Sequence, residues 1–476
     1  MKSGFEIILI ISKKKGEKFM SKLDIKVPTD VSEIIEELER EGHTAYIVGG
    51  CVRDAIMNKE PHDYDICTSA LPEEMHRIFA NRTTIDTGLK HGTITVGGIE
   101  GFYEVTTYRV DGEYKDNRRP EEVVFVDNIE QDLSRRDFTM NAIAYNPKTG
   151  IIDPFNGVED ISKGIIRCVG EANKRFNEDA LRIMRAVRFA SVLGFTIEDE
   201  TKMAMFKNKH LLKNVSEERK NVEFCKTLVN ANFNVLNTYK DIFVTFIPEI
   251  KDCFYFDQHN YHHKYDVYEH IAHSVVEAPK DLTVRLALFF HDIGKPKTYF
   301  LDETGVGHFY GHAKVSRDMT EEIMRRMKFD NTTIKNVCLL VEMHDINVSK
   351  ELKFARKLLG KIGDEQVNNL MVVQECDKKS QTINEHSKET LRNLNLLKEN
   401  IEKIKQEKQC CTIADLAING HDIIELGFNK GKIVGNILKH LLDVVIESPD
   451  KNNRKYLLEL VEKIQKEKNF AEDLTK

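Results

Sequence analysis

The stretch Ile47-Val48-Gly49-Gly50-Cys51-Val52-Arg53-Asp54, followed shortly by His62-Asp63-Tyr64-Asp65-Ile66, limits the possible folds of this chain more than any other. Residues 31–41 (VSEIIEELERE) carry apolar positions at helical spacing up to Gly42, and TAYIVGG then reads as a short buried strand running into a turn. Two glycines directly after a strand let backbone N–H groups approach a polyphosphate closely, and Arg53 adds positive charge there. Asp63 and Asp65 are two residues apart, so on a strand both carboxylates project from one face. Such a pair suits Mg²⁺, which takes oxygen ligands and keeps substrate phosphates in its shell. A Gly-Gly turn or a D-x-D alone is common; G-G-x-V-R-D followed closely by D-x-D is far more specific.

Strand-like patterns return at TITVGGI and FYEVTTYRV, with the charged, turn-rich DGEYKDNRRPEE after them, and from about residue 170 onward the pattern is helical. At 476 residues the chain has room for about three domains. With 41% hydrophobic and 31% charged residues it reads as globular and able to bury sizeable cores. No apolar run approaches the ~20 residues that span a bilayer, so no membrane association is expected. The nine cysteines are scattered without a C-x-x-C pair, and Cys410-Cys411 are adjacent. That argues against a disulfide framework or a zinc finger and points to a reducing cytoplasm. A net charge of −7 means that an RNA partner would be held by local basic patches. Near the N-terminus the apolar run Ile7–Ile11 is followed by Lys13-Lys14-Lys15, the reverse of a secretory signal. Residues 1–20 read as a disordered arm or an over-long gene start, with Met20-Ser21 as the alternative beginning.

The glycine turn with its D-x-D resembles the polymerase-β-like nucleotidyltransferase superfamily, and in detail the family of class II CCA-adding enzymes and bacterial poly(A) polymerases. Leu133-Ser134-Arg135-Arg136-Asp137-Phe138-Thr139-Met140-Asn141-Ala142 is similar to that family's R-R-D-F-T-x-N-A motif, whose arginines contact nucleotide. Asp153-Pro154-Phe155-Asn156-Gly157-Val158-Glu159-Asp160 is similar to its head–neck hinge. The resemblance implies an α+β fold: a nucleotidyltransferase head (21–145), a helical neck with a base-reading helix (146–230), an HD domain (231–400) and a helical RNA-binding tail (401–476). It implies Asp63 and Asp65 as catalytic Mg²⁺ ligands, with Gly50, Arg53 and Arg136 on the nucleotide. Glu104 is the candidate for a third carboxylate, or else a partner of Arg109.

Glu178 to Phe189 reads as one helix on which Asp179 and Arg182, at i and i+3, are surface neighbours. By itself that is an ordinary exposed ion pair worth little. The resemblance makes it the E-D-x-x-R motif that reads the incoming base, and the chemistry agrees. Cytosine and adenine each place an exocyclic amino donor beside an unprotonated ring nitrogen; Asp179 only accepts and Arg182 only donates, so the pair complements both. Guanine and uracil reverse that order, and unpaired buried polar groups reject strongly. Arg185 and Arg188 serve phosphate or sugar contacts, or helix packing.

In the second half, His270, His291-Asp292 and Asp377, with His312 and His344 between, resemble the HD superfamily of metal-dependent phosphohydrolases. The dipeptide means little alone, since His62-Asp63, His344-Asp345 and His421-Asp422 repeat it; His291-Asp292 stands apart by following the apolar LTVRLALFF. His270, His291, Asp292 and Asp377 are the expected ligands of a divalent metal of unspecified identity. The lysine- and glutamate-rich 398–409 reads as a linker or exposed helix. In the tail, Gly427, Gly431, Lys432 and Gly435 form a G-F-x-x-G-K-x-x-G turn; Gly431 and Lys432 are candidates for RNA phosphate contacts, or the glycines serve close packing.

The resemblance thus implies an enzyme that adds C and A to tRNA 3′ ends from CTP and ATP, with no DNA partner. The alternatives are addition of A alone, poly(A) synthesis, or an HD phosphohydrolase with a nucleotide-sensing head. The length of DGEYKDNRRPEEV favours addition of both nucleotides over C alone.

Overall fold

Helix Thr29–Arg40 opens the described chain, and its Val31, Ile34, Ile35 and Leu38 recur on one face and are buried. Gly42, at φ +90°, turns the chain into the first strand of a sheet. The computed structural model describes residues 25–112, 123–260 and 263–466. The proposed N-terminal extension and most of the DGEYKDNRRPEEV segment lie outside the described residues. The chain divides into two units, one ending at Pro248 and the other beginning at Glu249.

In the first unit the strands up to residue 152 are β1 (Ala45–Val48), β2 (Asp65–Thr68), β3 (Thr84–Gly88), β4 (Thr93–Gly97), β5 (Phe102–Thr107), β6 (Arg109–Asp111), β7 (Val123–Phe125), β8 (Ala144–Asn146) and β9 (Gly150–Ile152), and a short parallel pair, Ile165–Ile166 with Thr196–Ile197, follows. Seven of them make one sheet in the order β3-β4-β5-β2-β1-β8-β9, while β6 and β7 form a separate hairpin pair. Alternation is clearest in β4, where Ile94 and Val96 are buried between half-exposed neighbours. β1 runs antiparallel to β2 with Val48 opposite Asp65, and β2 runs parallel to β5 with Asp65 opposite Glu104. Asp65 is the first residue of β2. Asp63 therefore precedes the strand, and the expectation that both aspartates sit on it is corrected.

The helices that follow include Ala172–Glu178, Leu181–Leu193 and Glu217–Asn230. The expected single helix from Glu178 is thus two helices. Asp179 is extended between them (φ −137°, ψ 105°), and its Oδ1 accepts from the Leu181 N–H, the local side-chain bond by which Asp favours a helix start over a helix interior.

The second unit is built on helix Leu282–Phe290, which is buried from Val284 to Phe290. A helix apolar all round belongs inside; it packs against Val267–Glu277, Asn331–Met343 and Leu352–Lys379. A two-residue hairpin, Phe300–Leu301 with Gly307–His308, interrupts the helical pattern. The charged 398–409 stretch is largely the end of helix Glu385–Gln406, which buries Leu394, Leu397, Ile401 and Ile404 and is no linker up to Gln406. Further on, Ile437, Leu441, Val445, Leu457 and Val461 form a core of the tail helices.

Candidate functional site

In the first unit the turn after β1 is built by Gly49, at φ +78°, where a Cβ would also lie 3.0 Å from Arg136 Nη1. Only glycine meets both demands without strain. Arg136 therefore stands directly behind the turn. Asp65 and Glu104, side by side on β2 and β5, are exposed, as is Asp63. None of the three has an ion-pair partner among the described residues. Although Asp65 as a residue is exposed, the protein atoms around its carboxyl partly desolvate it, and this with the neighbouring Asp63 charge pushes it up, against the pull of Arg136. Arg109 pairs with Asp111 rather than with Glu104, which corrects that alternative.

Asp132, fully buried, holds both arginines of the following motif. Its Oδ1 accepts from Arg135 at 2.7 Å, its Oδ2 from Arg136 at 3.1 Å. Both arginines are half-buried. Arg53 is buried, bonding Asn141 Oδ1 at 2.7 Å and Asp54 at 2.8 Å, so it locks the glycine turn to the second motif instead of standing free. Asp137 accepts from Arg185 (2.8 Å), Asn141 and the Phe138 N–H. Burial opposes ionisation there, yet the Arg185 guanidinium and the Asn141 amide hold Asp137 at about 2.

Asp179 and Arg182 are not paired with each other through their side chains, contrary to the i, i+3 expectation. Asp179 Oδ2 accepts from Arg219 at 2.8 Å, while Arg182, 8% exposed, donates to Glu178 and to the Arg175 and Arg135 carbonyls. The two side chains instead border the same break between helices. Arg188 donates to Glu223 at 2.5 Å. The guanidiniums of Arg53, Arg185 and Arg188 lie 5.3, 5.5 and 4.0 Å from the ring centre of Phe189, a cation–π cluster linking motif and helix.

In the second unit the four expected ligands converge. His270 Nε2 lies 2.9 Å from Asp377 Oδ1, 3.2 Å from His291 Nε2 and 3.3 Å from Asp292 Oδ2, and all four residues are buried. Their separation in sequence is closed by helix 267–277 packing on 282–290 and 352–379. His312 and His344 join the cluster from the other side of Asp292. Burial disfavours the imidazolium at His291, but Asp292 and Asp377 push it up to about 10; at His344 burial and the neighbouring His291 and His312 push it down to about 3. Lys295 Nζ lies 2.7 Å from Asp292 and Lys378 Nζ 3.1 Å from Asp377.

In the tail, Gly427 (φ +94°) and Gly431 (φ +136°) take conformations that favour glycine, and Gly431 precedes helix Lys432–Glu447. Gly431 and Lys432 are exposed. No Cβ contact within 4 Å would arise at Gly431 or Gly435, so packing does not demand glycine at either.

The residues that sequence reading passed over are those that hold others: Asp132, Asn141, Arg219, Glu223 and Lys295. Asp132 had a legible signal, standing at i−3 and i−4 from two arginines. Arg219 and Glu223 come from a helix some 40 residues along, and no local pattern pairs them with the earlier helix.

Comparison with known proteins fits this geometry. The family described as "Poly A polymerase head domain" matches residues 45–167, "Probable RNA and SrmB- binding site of polymerase A" matches 194–236, and "tRNA nucleotidyltransferase domain 2 putative" matches 308–461. The CCA-adding enzyme of Geobacillus thermodenitrificans is 55% identical over 195 residues, 41% of this chain and 48% of that protein. That of Lactobacillus delbrueckii subsp. bulgaricus is 46% identical over 224 residues, 47% of this chain and 56% of the relative. The chain thus spans about half the length of the curated relatives it matches. The crystal structure of the Bacillus stearothermophilus CCA-adding enzyme in complex with CTP is similar with a TM-score of 0.68 at 29% identity, covering 92% of this chain and 98% of that one. With the glycine turn, the aligned carboxylates and the Arg-Arg-Asp motif in place, residues 45–167 match the poly(A) polymerase head-domain family, and the chain is similar to CCA-adding enzymes.

Proposed function

We propose that the first unit adds C and A to the 3′ end of tRNA, using CTP and ATP and no nucleic-acid template. The observation that carries this reading is the placement of Asp65 beside Glu104, with Asp63 and the Gly49–Gly50 turn adjacent and Arg136 behind. The carboxylates, that of Asp65 pushed up by desolvation and then by its like-charged neighbour Asp63, suit a divalent cation such as Mg²⁺. Asp63 and Asp65 would hold it, with Glu104 as a third ligand. Bound there, the cation supplies charge neutralisation for an in-line displacement at the α-phosphate, in which pyrophosphate leaves.

The chain's own residues do the positioning. The Gly50 amide receives the triphosphate and leaves room for its approach, while the Gly49 N–H is held by the Ile143 carbonyl. Arg136, fixed by Asp132, sets positive charge behind it. Arg53 and the Asp137–Arg185 pair keep the turn and the helix 181–193 in one arrangement. Asp179 and Arg182 read the base once it displaces their present partners Arg219 and Glu178. Arg185 and Arg188, engaged with Asp137 and Glu223, act chiefly in packing, while Gly431 and Lys432 take RNA phosphate in the tail. These roles place the protein in the cytoplasm with its tRNA. No helix among the described residues is long and apolar enough to cross a membrane.

The test is purified protein with tRNA ending before CCA and labelled CTP or ATP, separately and together. Complete CCA only with both nucleotides supports the reading. ATP use alone on a CC-ending tRNA indicates an A-adding enzyme, and long A tracts a poly(A) polymerase.

A second reading is favoured for the other unit by the buried convergence of His270, His291, Asp292 and Asp377. These residues would hold a divalent metal, which lowers the pKa of bound water and polarises a phosphate ester. The unit would then be a phosphohydrolase, with Lys295 and Lys378 holding the substrate's negative charge. Release of phosphate from a phosphomonoester, lost in Asp292→Ala, is its test.

A further inference from the structure

We propose that Phe102 is a stacking platform for the last base of the RNA and so brings the RNA 3′-hydroxyl beside the carboxylates of the first unit. This rests on the nucleotide-addition reading above and adds to it the side from which the RNA enters.

The argument begins with the two faces of the sheet. Residues paired across neighbouring strands share a face, and successive residues of one strand alternate. Ile66, Val105 and Ile94 are paired in a row and buried, so their face is the core. Asp65 and Glu104 are paired on the other face. Phe102, two residues before Glu104, shares it, as does Gly97 opposite Phe102. The open face thus carries the carboxylates and, one step along β5, an aromatic ring that is 62% exposed.

A single exposed apolar side chain is ordinary on a protein surface. Phe102 differs in where it stands and in how firmly it is held. Asp30, 2% exposed, accepts from the Glu100 N–H at 2.7 Å and from the Tyr103 hydroxyl at 3.3 Å. A Cβ at Gly98 would lie 2.4 Å from the same Asp30 oxygen, so that buried carboxylate fills the inside of the turn. The Gly98 N–H donates to the Gly101 carbonyl at 2.8 Å, and the Gly97 N–H to the Thr83 carbonyl at 2.8 Å. The Phe102 ring leans over Gly97, with Cε1 3.5 Å from where a Cβ there would stand. The ring is therefore presented from a fixed turn, and little order has to be gained when a ligand covers it.

Strand order assigns the ligand. The sheet runs β4-β5-β2-β1, and Val48 at the end of β1 stands opposite Asp65 at the start of β2. The glycine turn and Phe102 therefore lie at one end of the sheet, on opposite sides of Asp65, about 10 Å apart at ~4.8 Å per strand. In an in-line displacement the attacking and leaving oxygens stand on opposite sides of the α-phosphorus. With pyrophosphate leaving at the glycine turn, the 3′-hydroxyl arrives from the side of β5 and β4, where Phe102 is. Its oxygen bonds to the α-phosphorus, the P–O bond to pyrophosphate breaks, and its proton passes to water. The incoming base has to be discriminated, which takes polar groups, whereas the last base of the RNA changes with each addition. A ring without donors or acceptors holds any base by its π-face and suits the second task.

The experiment uses the full chain and an acceptor-stem RNA hairpin that ends before CCA and carries 2-aminopurine, whose fluorescence is quenched by stacking, as its last base. Wild type and Phe102→Tyr are expected to quench the probe at saturation, while Phe102→Ala leaves it bright. Phe102→Ala also raises KM for the RNA on the order of tenfold, with KM for CTP and the circular dichroism spectrum unchanged. Wild-type quenching or a wild-type RNA KM in Phe102→Ala overturns the platform alone. A rise in KM for CTP instead assigns the ring to the incoming base and overturns the RNA assignment. Wild-type protein that adds no nucleotide to any tRNA overturns the nucleotide-addition reading together with it.

Discussion

Replacing Asp137 by Asn removes the charge that holds the Arg-Arg-Asp motif to helix Leu181–Leu193, and the structure sets the size of the effect. Asp137 is 8% exposed and receives hydrogen bonds from Arg185, Asn141 and the Phe138 N–H. Its carboxyl is held at about 2 against an ordinary value of 3.8. That difference corresponds to about 2 to 3 kcal/mol of stability for the ionised form, on the order of 50-fold in a local opening equilibrium. Because the folded-state pKa is depressed, the contribution is complete above the unfolded value near 4 and is lost as pH falls toward 2. At pH 3 about half of it remains. The chain contains no tryptophan, so hydrogen exchange followed by mass spectrometry is the better assay. Peptides covering 129–146 and 181–193 are compared at pH 7 and pH 3 after correction for intrinsic rates. Asp137→Asn is expected to exchange about 50-fold faster than wild type at pH 7, with the gap shrinking several-fold at pH 3. Protection within threefold of wild type at pH 7, or a gap that stays constant with pH, would refute the assignment of Asp137 as the anchor.

Other perturbations separate the two units. Asp65→Ala should abolish nucleotide incorporation and leave phosphate release untouched, while Asp292→Ala does the reverse; paired assays on the same preparations decide it. Glu104→Gln should lower kcat for incorporation by ~10²–10³, the scale for removing one electrostatic stabiliser, with little change in nucleotide KM; an unchanged kcat removes Glu104 from the metal site. Asp132→Asn strands two arginines on a neutral side chain and should cost ~3–5 kcal/mol, read as lost exchange protection around Leu133 and Tyr108. Gly49→Ala combines a left-handed backbone with a clash at Arg136 and should cost ~1–2 kcal/mol, with nucleotide affinity falling alongside; wild-type affinity and stability would show that the turn tolerates a Cβ.

The sequence by itself determined the parts whose physics is local. The strand–Gly–Gly–helix turn was readable because a strand ending in glycines leaves the chain few other courses, and β1 and its turn lie where the pattern placed them. The grouping of His270, His291, Asp292 and Asp377 was readable because His291-Asp292 ends an apolar helix, and the four side chains do meet. Only the tertiary structure decided which groups meet. Parallel pairing of β2 with β5 puts Glu104 against Asp65, a registry of two segments about 40 residues apart that neither segment encodes alone. Asp179 turned out to break a helix instead of riding on it, because its own carboxylate competes for the backbone N–H that a continuous helix would use. The same holds for Asp292. As a sequence letter it is one ligand among four, but packing helices on both sides of it gives each of its oxygens a separate set of imidazoles. Chemistry of residue types and short spacings is written in the chain; the direction in which a buried side chain points is set by long-range packing.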